Sequence, residues 1–134
     1  MSNLKVEIIT PNGLYKETNA SIINIRTIDG QQGILPNHLP LVTMLEISTL
    51  TMDENGVRET YTISGGVFIL DSDNNVKILT DSIENVKDID VNRAKIAKDK
   101  AEHSINNLSQ GKEFINAEAA LKRAINRIHA AEIK

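Results

Sequence analysis

Four cationic side chains in the last third of the chain are the residues best suited to bind a ligand. They are Arg93, Lys100, Arg123 and Arg127. Arg93 follows Asp90 by three residues, so a carboxylate and a guanidinium would share the first turn of a helix. Several guanidiniums that converge beside a helix N-terminus can bind phosphate through charge-assisted hydrogen bonds. The other interpretation is a solvated helix edge whose cations pair with Asp99, Glu102 and Glu118, and the spacing alone leaves both open.

Patterns typical of enzyme catalysis are weak in this sequence. The histidines His38, His103 and His129 have no metal-ligand spacing to one another or to a carboxylate. Ser64-Gly65-Gly66 lacks the Gly-x-Ser-x-Gly order of a nucleophile elbow, and no glycine loop of the Walker or Rossmann type occurs. We therefore expect a chain without an active site, a metal or an obligatory cofactor.

Two short motifs indicate roles other than catalysis. His38 stands between Pro36 and Pro40, which favours a structural or interface role. Gly65 and Gly66 predict a β-bulge or a close approach of two backbones. Neither motif requires a reacting group.

A helical region that begins near residue 88 must position the cations. Asp90 is a suitable N-cap, and a run without Gly or Pro follows it to Leu108. Ser109-Gln110-Gly111 interrupts the pattern, and a second helix is predicted from about Glu113 to Ile133. Because the break is so short, the two helices should form an antiparallel hairpin.

This hairpin should bring the cations together across a narrow seam. Arg93 and Arg127 each lie 17 residues from Gln110, so they come level, and Arg123 lies one turn from Arg127. Apolar residues recur every three or four positions in the second helix. They are Phe114, Ala117, Leu121, Ala124, Ile128 and Ala131. The first helix offers a comparable stripe of Val91, Ala94, Ala101, Ile105 and Leu108. An alanine-rich seam buries little area, so the hairpin needs a further surface and suits a movable arm.

The first 85 residues show the period of β-strands instead. Val6 and Ile8 flank Glu7, for example, and Asn55-Gly56 is a strong hairpin turn. Short apolar runs recur between such turns. They are Leu4–Ile9, Ile22–Ile28, Leu41–Leu45, Ile47–Met52, Val57–Ser64, Val67–Leu70 and Val76–Leu79. This spacing predicts an all-β sandwich or barrel ahead of the helices.

Composition excludes several classes of partner. The net charge of −3, from 15 basic and 18 acidic residues, gives no overall attraction to nucleic acid or to an acidic membrane. Only 3% of the residues are aromatic, which argues against stacking on single-stranded bases. The absence of cysteine excludes disulfides and thiolate metal sites. A charged N-terminal segment and the lack of an apolar run of about 20 residues predict a cytosolic protein, or one bound to a membrane only through other proteins.

Four stretches of the sequence carry a family resemblance. They are Thr10–Gly13, Gly30–Leu41, Ser64–Phe68 and Ile89–Ala94. In this order and spacing they resemble the epsilon subunits of F-type ATP synthases. The block GQQGILPNHLPL is the specific one, and the helical end Leu121–Arg127 matches as well. The resemblance therefore covers essentially the whole chain.

The family implies a two-domain rotor subunit. Residues 1–86 would form a flattened antiparallel β-sandwich of about ten strands, and residues 87–134 a two-helix hairpin. The sandwich would bind the gamma subunit and rest on the c ring, coupling ion transport to ATP synthesis on the cytoplasmic face of the bacterial membrane. The extended hairpin would reach the alpha and beta subunits and inhibit ATP hydrolysis. The expected subunit-interface residues are Gly30, Gln31, Gln32, Gly33, Pro36, His38 and Pro40.

The resemblance also implies a regulatory ATP site. In bacterial members, a motif Ile/Leu-Asp-x-x-Arg-Ala contributes to ATP binding that holds the hairpin folded. The matching residues here are Ile89, Asp90, Arg93, Ala94, Arg123 and Arg127. Glu84 occupies the position of a further contact, and Lys100 stands where such homologues carry arginine. Since lysine cannot form the bidentate fork of arginine, we expect Lys100 to weaken this site.

A second class of function stays open beside the rotor subunit. The arginine cluster would also suit a free-standing ATP-sensing module, although nothing in the β region supports that role. Co-purification distinguishes the two, because a rotor subunit should be isolated together with gamma.

Overall fold

The computed structural model describes residues 3–107 and 112–132, which form eight strands and two α-helices. The strands are β1 (Leu4–Thr10), β2 (Gly13–Ala20), β3 (Ile23–Thr27), β4 (Gly30–Ile34), β5 (Leu41–Glu54), β6 (Val57–Leu70), β7 (Asn75–Leu79) and β8 (Ile83–Asn85). A 3₁₀ turn, Val86–Asp88, precedes the helices α1 (Val91–Asn107) and α2 (Lys112–Glu132). The chain divides into two compact units, one ending at Asn85 and the other beginning at Val86.

The first unit is a β-sandwich made from one continuous sheet. Its strand order is β2-β1-β7-β6-β5-β3-β4, and β8 pairs with β6 outside that path. The β1–β7 pair is parallel and the other pairs are antiparallel. Strands β5 and β6 have 14 residues each, so they extend about 46 Å at roughly 3.3 Å per residue. They take part in both layers, and one hydrophobic core lies between the layers.

The sheet folds over where β5 and β6 skip one step of pairing. Leu45 lies opposite Gly66 and Ile47 opposite Ser64, which leaves Glu46 and Gly65 between two paired segments. Gly65 and Gly66 have φ angles of 92° and 140°, which disfavour any side chain. The register does not shift across this point, so the glycine pair forms no β-bulge. A Cβ atom at Gly66 would collide with the Leu79 carbonyl oxygen, which confirms the other expectation, a close approach of two backbones.

Four of the apolar runs in the sequence belong to only two strands, because each of these strands continues through the bend. Leu41–Leu45 and Ile47–Met52 belong to β5, while Val57–Ser64 and Val67–Leu70 belong to β6. The eight strands become ten when each half of β5 and β6 is counted separately, which matches the number that the family resemblance implied. The sequence pattern missed β2, β4 and β8.

A polar cluster joins the two layers of the sandwich. Lys16 Nζ donates to the Tyr61 hydroxyl at 2.8 Å and lies 2.8 Å from Glu54 Oε1. The Tyr61 hydroxyl donates in turn to Glu54 Oε2 at 2.8 Å. Lys16 is on β2 and Glu54 on β5, which are not neighbours in the sheet, so the cluster links one layer to the other. Tyr61 is buried in the core and Glu54 is nearly so.

The same cluster shifts two pKa values upward. Burial disfavours the phenolate, and together with Glu54 it raises the pKa of Tyr61 to about 12. Burial alone would lower the pKa of Lys16, but the bonds to Glu54 and Tyr61 outweigh it and raise that pKa above its usual value. Both groups therefore hold their protons more firmly in the folded chain than in the unfolded chain.

We predict that Tyr61→Phe destabilises the sandwich by about 1–2 kcal/mol at pH 7, because two hydrogen bonds are lost while the ring stays. Urea denaturation of both chains measures this difference. The unfolded-state pKa of tyrosine is about 10, so the wild-type advantage should be complete below that pH and fall as the pH rises through about 12. An advantage that stays constant from pH 9 to pH 12 would contradict the role of the hydroxyl proton.

Candidate functional site

The helical unit begins with the side-chain cap that the sequence predicts. Asp90 Oδ1 accepts a hydrogen bond from the Arg93 amide at 3.1 Å, and the Asp90 carbonyl accepts one from the Ala94 amide at 3.0 Å. An aspartate at this position satisfies an amide that the helix leaves unpaired and places negative charge at the positive end of the helix dipole. The predicted N-cap is therefore confirmed.

The two helices pack through small side chains. The buried alanines are Ala94, Ala101, Ala117, Ala124, Ala130 and Ala131. Ala130 and Ala131, near the end of α2, cluster with Val86 and Ile89, which precede α1. The end of one helix thus lies beside the start of the other, which confirms the antiparallel hairpin. The break at residues 109–111, the positions of Leu108 and Ile133, and the side chain of Phe114 lie outside the described residues.

The seam places the predicted cations on one side of the hairpin. Arg93, Lys100 and Arg123 each directly precede a buried alanine of the seam, so each lies about 100° around its helix from that seam. In an antiparallel pair, positions with the same offset from the seam fall on the same side. Arg127 lies one turn beyond Arg123 and on the same flank, and Asp90 lies one turn before Ala94. We call Asp90, Arg93, Lys100, Arg123 and Arg127 the cationic face.

Exposure differs among the residues of the predicted ATP site. Arg93 and Lys100 are exposed, whereas Arg123 and Arg127 are partly buried. The side chains of Ile89 and Ala94 are buried in the packing of the helical unit. Glu84 belongs to the other unit, where β8 pairs it with Thr62.

One ion pair bears on the alternative of a solvated edge. Lys98 Nζ lies 3.8 Å from Glu102 Oε1, four residues further along α1. Glu102 was one of the carboxylates expected to pair with the cationic face. Its observed partner lies elsewhere on the helix, so this contact does not neutralise the face.

Residues 3–107 and 112–132 contain neither a candidate metal cluster nor a membrane-spanning helix. In these segments no three His, Cys, Asp or Glu side chains are grouped so that they could hold a metal ion. Neither helix, over its described length, combines the span and the apolarity needed to cross a membrane.

The outer surface of the sandwich carries a row of apolar side chains across five strands. Directly opposite pairs make the row: Leu14–Ile9, Ile9–Leu79, Leu79–Val67 and Val67–Met44. The Ile28 amide donates to the Met44 carbonyl at 3.2 Å, which adds Ile28 at the end of the row. Ile28 is 62% exposed, and Met44 and Leu14 are each 58% exposed. We call these six residues the apolar stripe.

A shallow pocket of about 310 Å³ adjoins the apolar stripe at the bend of the sheet. Ile9 and Leu79 of the stripe line it, together with Pro11 and the backbone of Gly65 and Gly66. Thr80 Oγ1 donates to the Gly65 carbonyl at 2.6 Å and so fixes one wall. The stripe and the pocket share Ile9 and Leu79 and are therefore continuous, and the polar residues of the pocket lining are Thr10, Ser64, Thr80 and Asp81.

The predicted interface residues occupy an edge strand and the loop that follows it. Gly30, Gln31, Gln32 and Gly33 lie on β4, which ends the sheet path. The next residues form a β-turn in which the His38 amide donates to the Leu35 carbonyl at 3.2 Å. Pro36 and Asn37, the latter with φ 68°, occupy the central positions of a type II turn. His38, Leu39 and Pro40 are exposed and lead into β5.

The apolar stripe is the feature that the sequence pattern did not identify. Period-2 strands were expected to place polar residues outward, yet Ile9, Met44 and Leu79 face outward. The sequence does show apolar residues at these outward positions of strands that otherwise alternate. Only the register between the strands shows that these residues are neighbours on one surface.

Comparison with known proteins gives a consistent result over the whole chain. Residues 3–86 match a family model for the beta-sandwich domain of the ATP synthase delta/epsilon chain, and residues 87–132 match the model for its long alpha-helix domain. An ATP synthase epsilon chain of Bacillus licheniformis is 37% identical over 131 residues, covering 98% of this chain and 99% of that protein. One from Lactobacillus gasseri is 38% identical over 136 residues, covering 96% of this chain and 92% of that protein.

Solved structures share the fold. A chain of the Euglena gracilis mitochondrial ATP synthase, from a structure of OSCP, F1 and the c ring, superposes with a TM-score of 0.82 at 22% identity. That match covers 100% of this chain and 83% of the other. A central-stalk and c-ring structure of the Tetrahymena thermophila enzyme gives a TM-score of 0.71 at 17% identity, covering 97% of each chain.

We predict that Asp90→Ala destabilises the helical unit by about 1 kcal/mol, whereas Asp90→Ser leaves it nearly unchanged, because serine also caps a helix. Thermal melts followed by the helical circular dichroism signal of the full chain compare the three proteins. Equal melting of the Ala and Ser variants would show that the Asp90 cap does not stabilise α1. The Ser variant also separates capping from any contact of the carboxylate with a ligand.

Proposed function

This chain belongs to the ATP synthase delta/epsilon chain family, and on that premise we propose that it is the epsilon subunit in the central stalk of a bacterial F-type ATP synthase. It would act there as a non-catalytic rotor subunit. Its sandwich would couple ion transport to ATP synthesis, and its hairpin would regulate ATP hydrolysis. Its location would be the cytoplasmic face of the membrane, reached through the complex.

The apolar stripe is the observation that carries the rotor assignment. Its exposed side chains form a continuous row on a rigid sheet, and such a row on a folded domain marks a surface for another protein. Strands β1, β6 and β7 present these side chains without any need to reorganise, which favours stable association. We assign the stripe and its pocket to the contact with the gamma subunit.

The edge strand β4 is the second contact surface that we propose. An edge strand leaves backbone groups available to a partner, and Gly30 and Gly33 of β4 have no side chain that would hold a neighbour away. We assign this strand to the c ring. The adjoining loop with Pro36, His38 and Pro40 would then lie near gamma.

The cationic face supports a regulatory role for ATP. Four cations and one carboxylate on a single side of the hairpin provide donors for phosphate and an acceptor for an adenine amino group. The partly buried Arg123 and Arg127 would bind phosphate more firmly than the exposed Lys100, which lacks a guanidinium fork. We propose no hydrolysis at this face, because its side chains provide no base directed at an attacking water.

ATP would act by favouring one arrangement of the hairpin over another. A ligand shifts such an equilibrium only through its different affinity for the two states. At 100 times its dissociation constant, ATP would stabilise the state that binds it by roughly 2.7 kcal/mol. Low ATP would then release the hairpin toward the alpha and beta subunits, where it inhibits hydrolysis.

The two functions should separate when the chain is shortened. We predict that a chain ending at residue 86 stays folded, because the core of the first unit is formed within that unit. It should still bind gamma, since the whole apolar stripe is retained, and it should lose the inhibition of hydrolysis. Gel filtration with purified gamma and an ATPase assay of the reconstituted complex measure the two properties. A folded truncated chain that fails to bind gamma would contradict the assignment of the stripe.

We predict that Arg123→Ala weakens ATP binding tenfold or more, because a charged hydrogen bond contributes about 1.5–3 kcal/mol. Isothermal titration of the full chain with ATP, with and without Mg²⁺, gives the affinity. Lys122→Ala is the matched control, since Lys122 is exposed on α2 and points away from the seam and from the cationic face. Lys100→Arg should tighten binding if that position reaches phosphate.

The titration also decides between the candidate functions. If ATP shows no saturable binding at millimolar concentration, the cationic face is a solvated helix edge and not an ATP site. The assignment as a rotor subunit does not depend on that result. ATP binding by a chain that never isolates with gamma would instead favour the free-standing sensor.

A further inference from the structure

The loop between β4 and β5 presents the most exposed large apolar side chain of the described residues. Leu39 is 80% exposed and Leu35 is 56% exposed. The loop runs from the edge strand of one layer to the first residue of β5 in the other layer. Two exposed leucines in a connecting loop need a defined backbone before they can form a specific contact, because ordering a flexible loop on binding weakens affinity.

A second turn holds this loop from outside. The Asn37 amide donates to Asn74 Oδ1 at 2.7 Å, and Asn74 Nδ2 approaches Asn37 Oδ1 at 3.4 Å. The two asparagines lie 37 residues apart in sequence, Asn74 being in the turn between β6 and β7. Both adopt left-handed backbone conformations, with φ of 68° and 64°. We call this reciprocal contact the asparagine clasp.

The turn that carries Asn74 is itself firmly held. Asp71 Oδ1 accepts hydrogen bonds from the amides of Asp73 and Asn75 at 2.8 and 2.9 Å. These bonds, of which those from Asn75 matter most, keep the pKa of the Asp71 carboxyl below its usual value. The Asn74 carbonyl accepts a further bond from the Lys5 amide at 2.8 Å, which ties the turn to β1. Asn74 is thus a fixed point against which the loop between β4 and β5 is positioned.

We propose that Asn74 is a positioning residue for partner binding, which sets the shape of the Leu35–Leu39 segment without touching the partner. The inference rests on the proposed function, since it takes the partner to be the gamma subunit and the c ring. The type II turn at Pro36 and Asn37 fixes the loop locally, and the clasp fixes it relative to the sheet. Leu35 and Leu39 are thereby presented in one arrangement.

Loss of the clasp should lower the fraction of chains that can bind. When only a fraction of molecules is competent, the apparent affinity falls by that fraction. One neutral hydrogen bond contributes about 0.5–1.5 kcal/mol, which corresponds to a two- to tenfold change. The change should appear in the association rate, because the final contacts with the partner stay the same.

The test compares substitutions at Asn74 in the full chain, with binding to the immobilised gamma–c-ring subcomplex of the same enzyme measured by surface plasmon resonance. Asn74→Gly keeps the left-handed backbone and removes the clasp, so it should slow association two- to tenfold with an unchanged dissociation rate. Asn74→Asp keeps the acceptor of the 2.7 Å bond and should restore most of the rate. Asn55→Gly is the matched control, since Asn55 has φ 53° in the β5–β6 turn, and it should bind like wild type.

Leu39→Ser separates this inference from the function on which it rests. If Leu39→Ser weakens binding and Asn74→Gly does not, the clasp has no positioning role, while the loop remains a contact. If Asn74→Gly speeds dissociation instead of slowing association, Asn74 is a direct contact and the proposal is overturned. If neither variant changes binding, both the inference and the placement of this loop at the partner are wrong. Circular dichroism spectra equal to wild type at the temperature of the binding assay ensure that each comparison is made between folded chains.

Discussion

The sandwich depends on one close approach between two backbones, at Gly66 and the carbonyl of Leu79. A Cβ atom at Gly66 would collide with that oxygen, so no other residue fits without movement of β7. The approach lets β6 turn from one layer into the other while it stays paired with β5 on both sides of the bend. It also keeps β7 close enough to join β1 in parallel, which completes the outer layer. A small domain with few aromatic residues thus obtains a single enclosed core from two long strands.

Polar contacts between distant parts of the first unit support the sandwich and leave its outer surface free for partners. The polar cluster of Lys16, Glu54 and Tyr61 joins the layers, and the asparagine clasp holds the connecting loop. An exposed apolar row on such a frame marks a surface that a partner protein covers in an assembly. The fold and the assignment to a stalk subunit are linked in this way.

The sequence alone predicted the features that depend on the backbone preference of one or two residues. It did not predict the features that depend on which strands pair. The Asp90 cap, the Asn55-Gly56 turn and the close backbone approach at Gly66 each follow from a residue type with a distinct backbone preference. Strands β2 and β4 were missed because both are edge strands rich in polar residues or glycine, and their conformation comes from one neighbour rather than from an apolar pattern. The antiparallel hairpin alone predicted that Arg93 and Arg127 lie at the same height along the two helices. That the cations lie on one side of the hairpin could be concluded only once the buried alanines had located the seam. The apolar stripe needed the full strand register.

The absence of cysteine in this chain allows a direct test of the central claim, that the apolar stripe is buried in the assembled stalk. Met44→Cys would carry the only thiol, at a position that is 58% exposed in the chain by itself. Val57→Cys, at a 54% exposed apolar position outside the stripe, serves as the reference. The measurement is the rate of maleimide labelling in the free chain and in the purified complex. We expect labelling at position 44 to slow at least tenfold on assembly, relative to position 57, and an unchanged ratio of the two rates would contradict the claim.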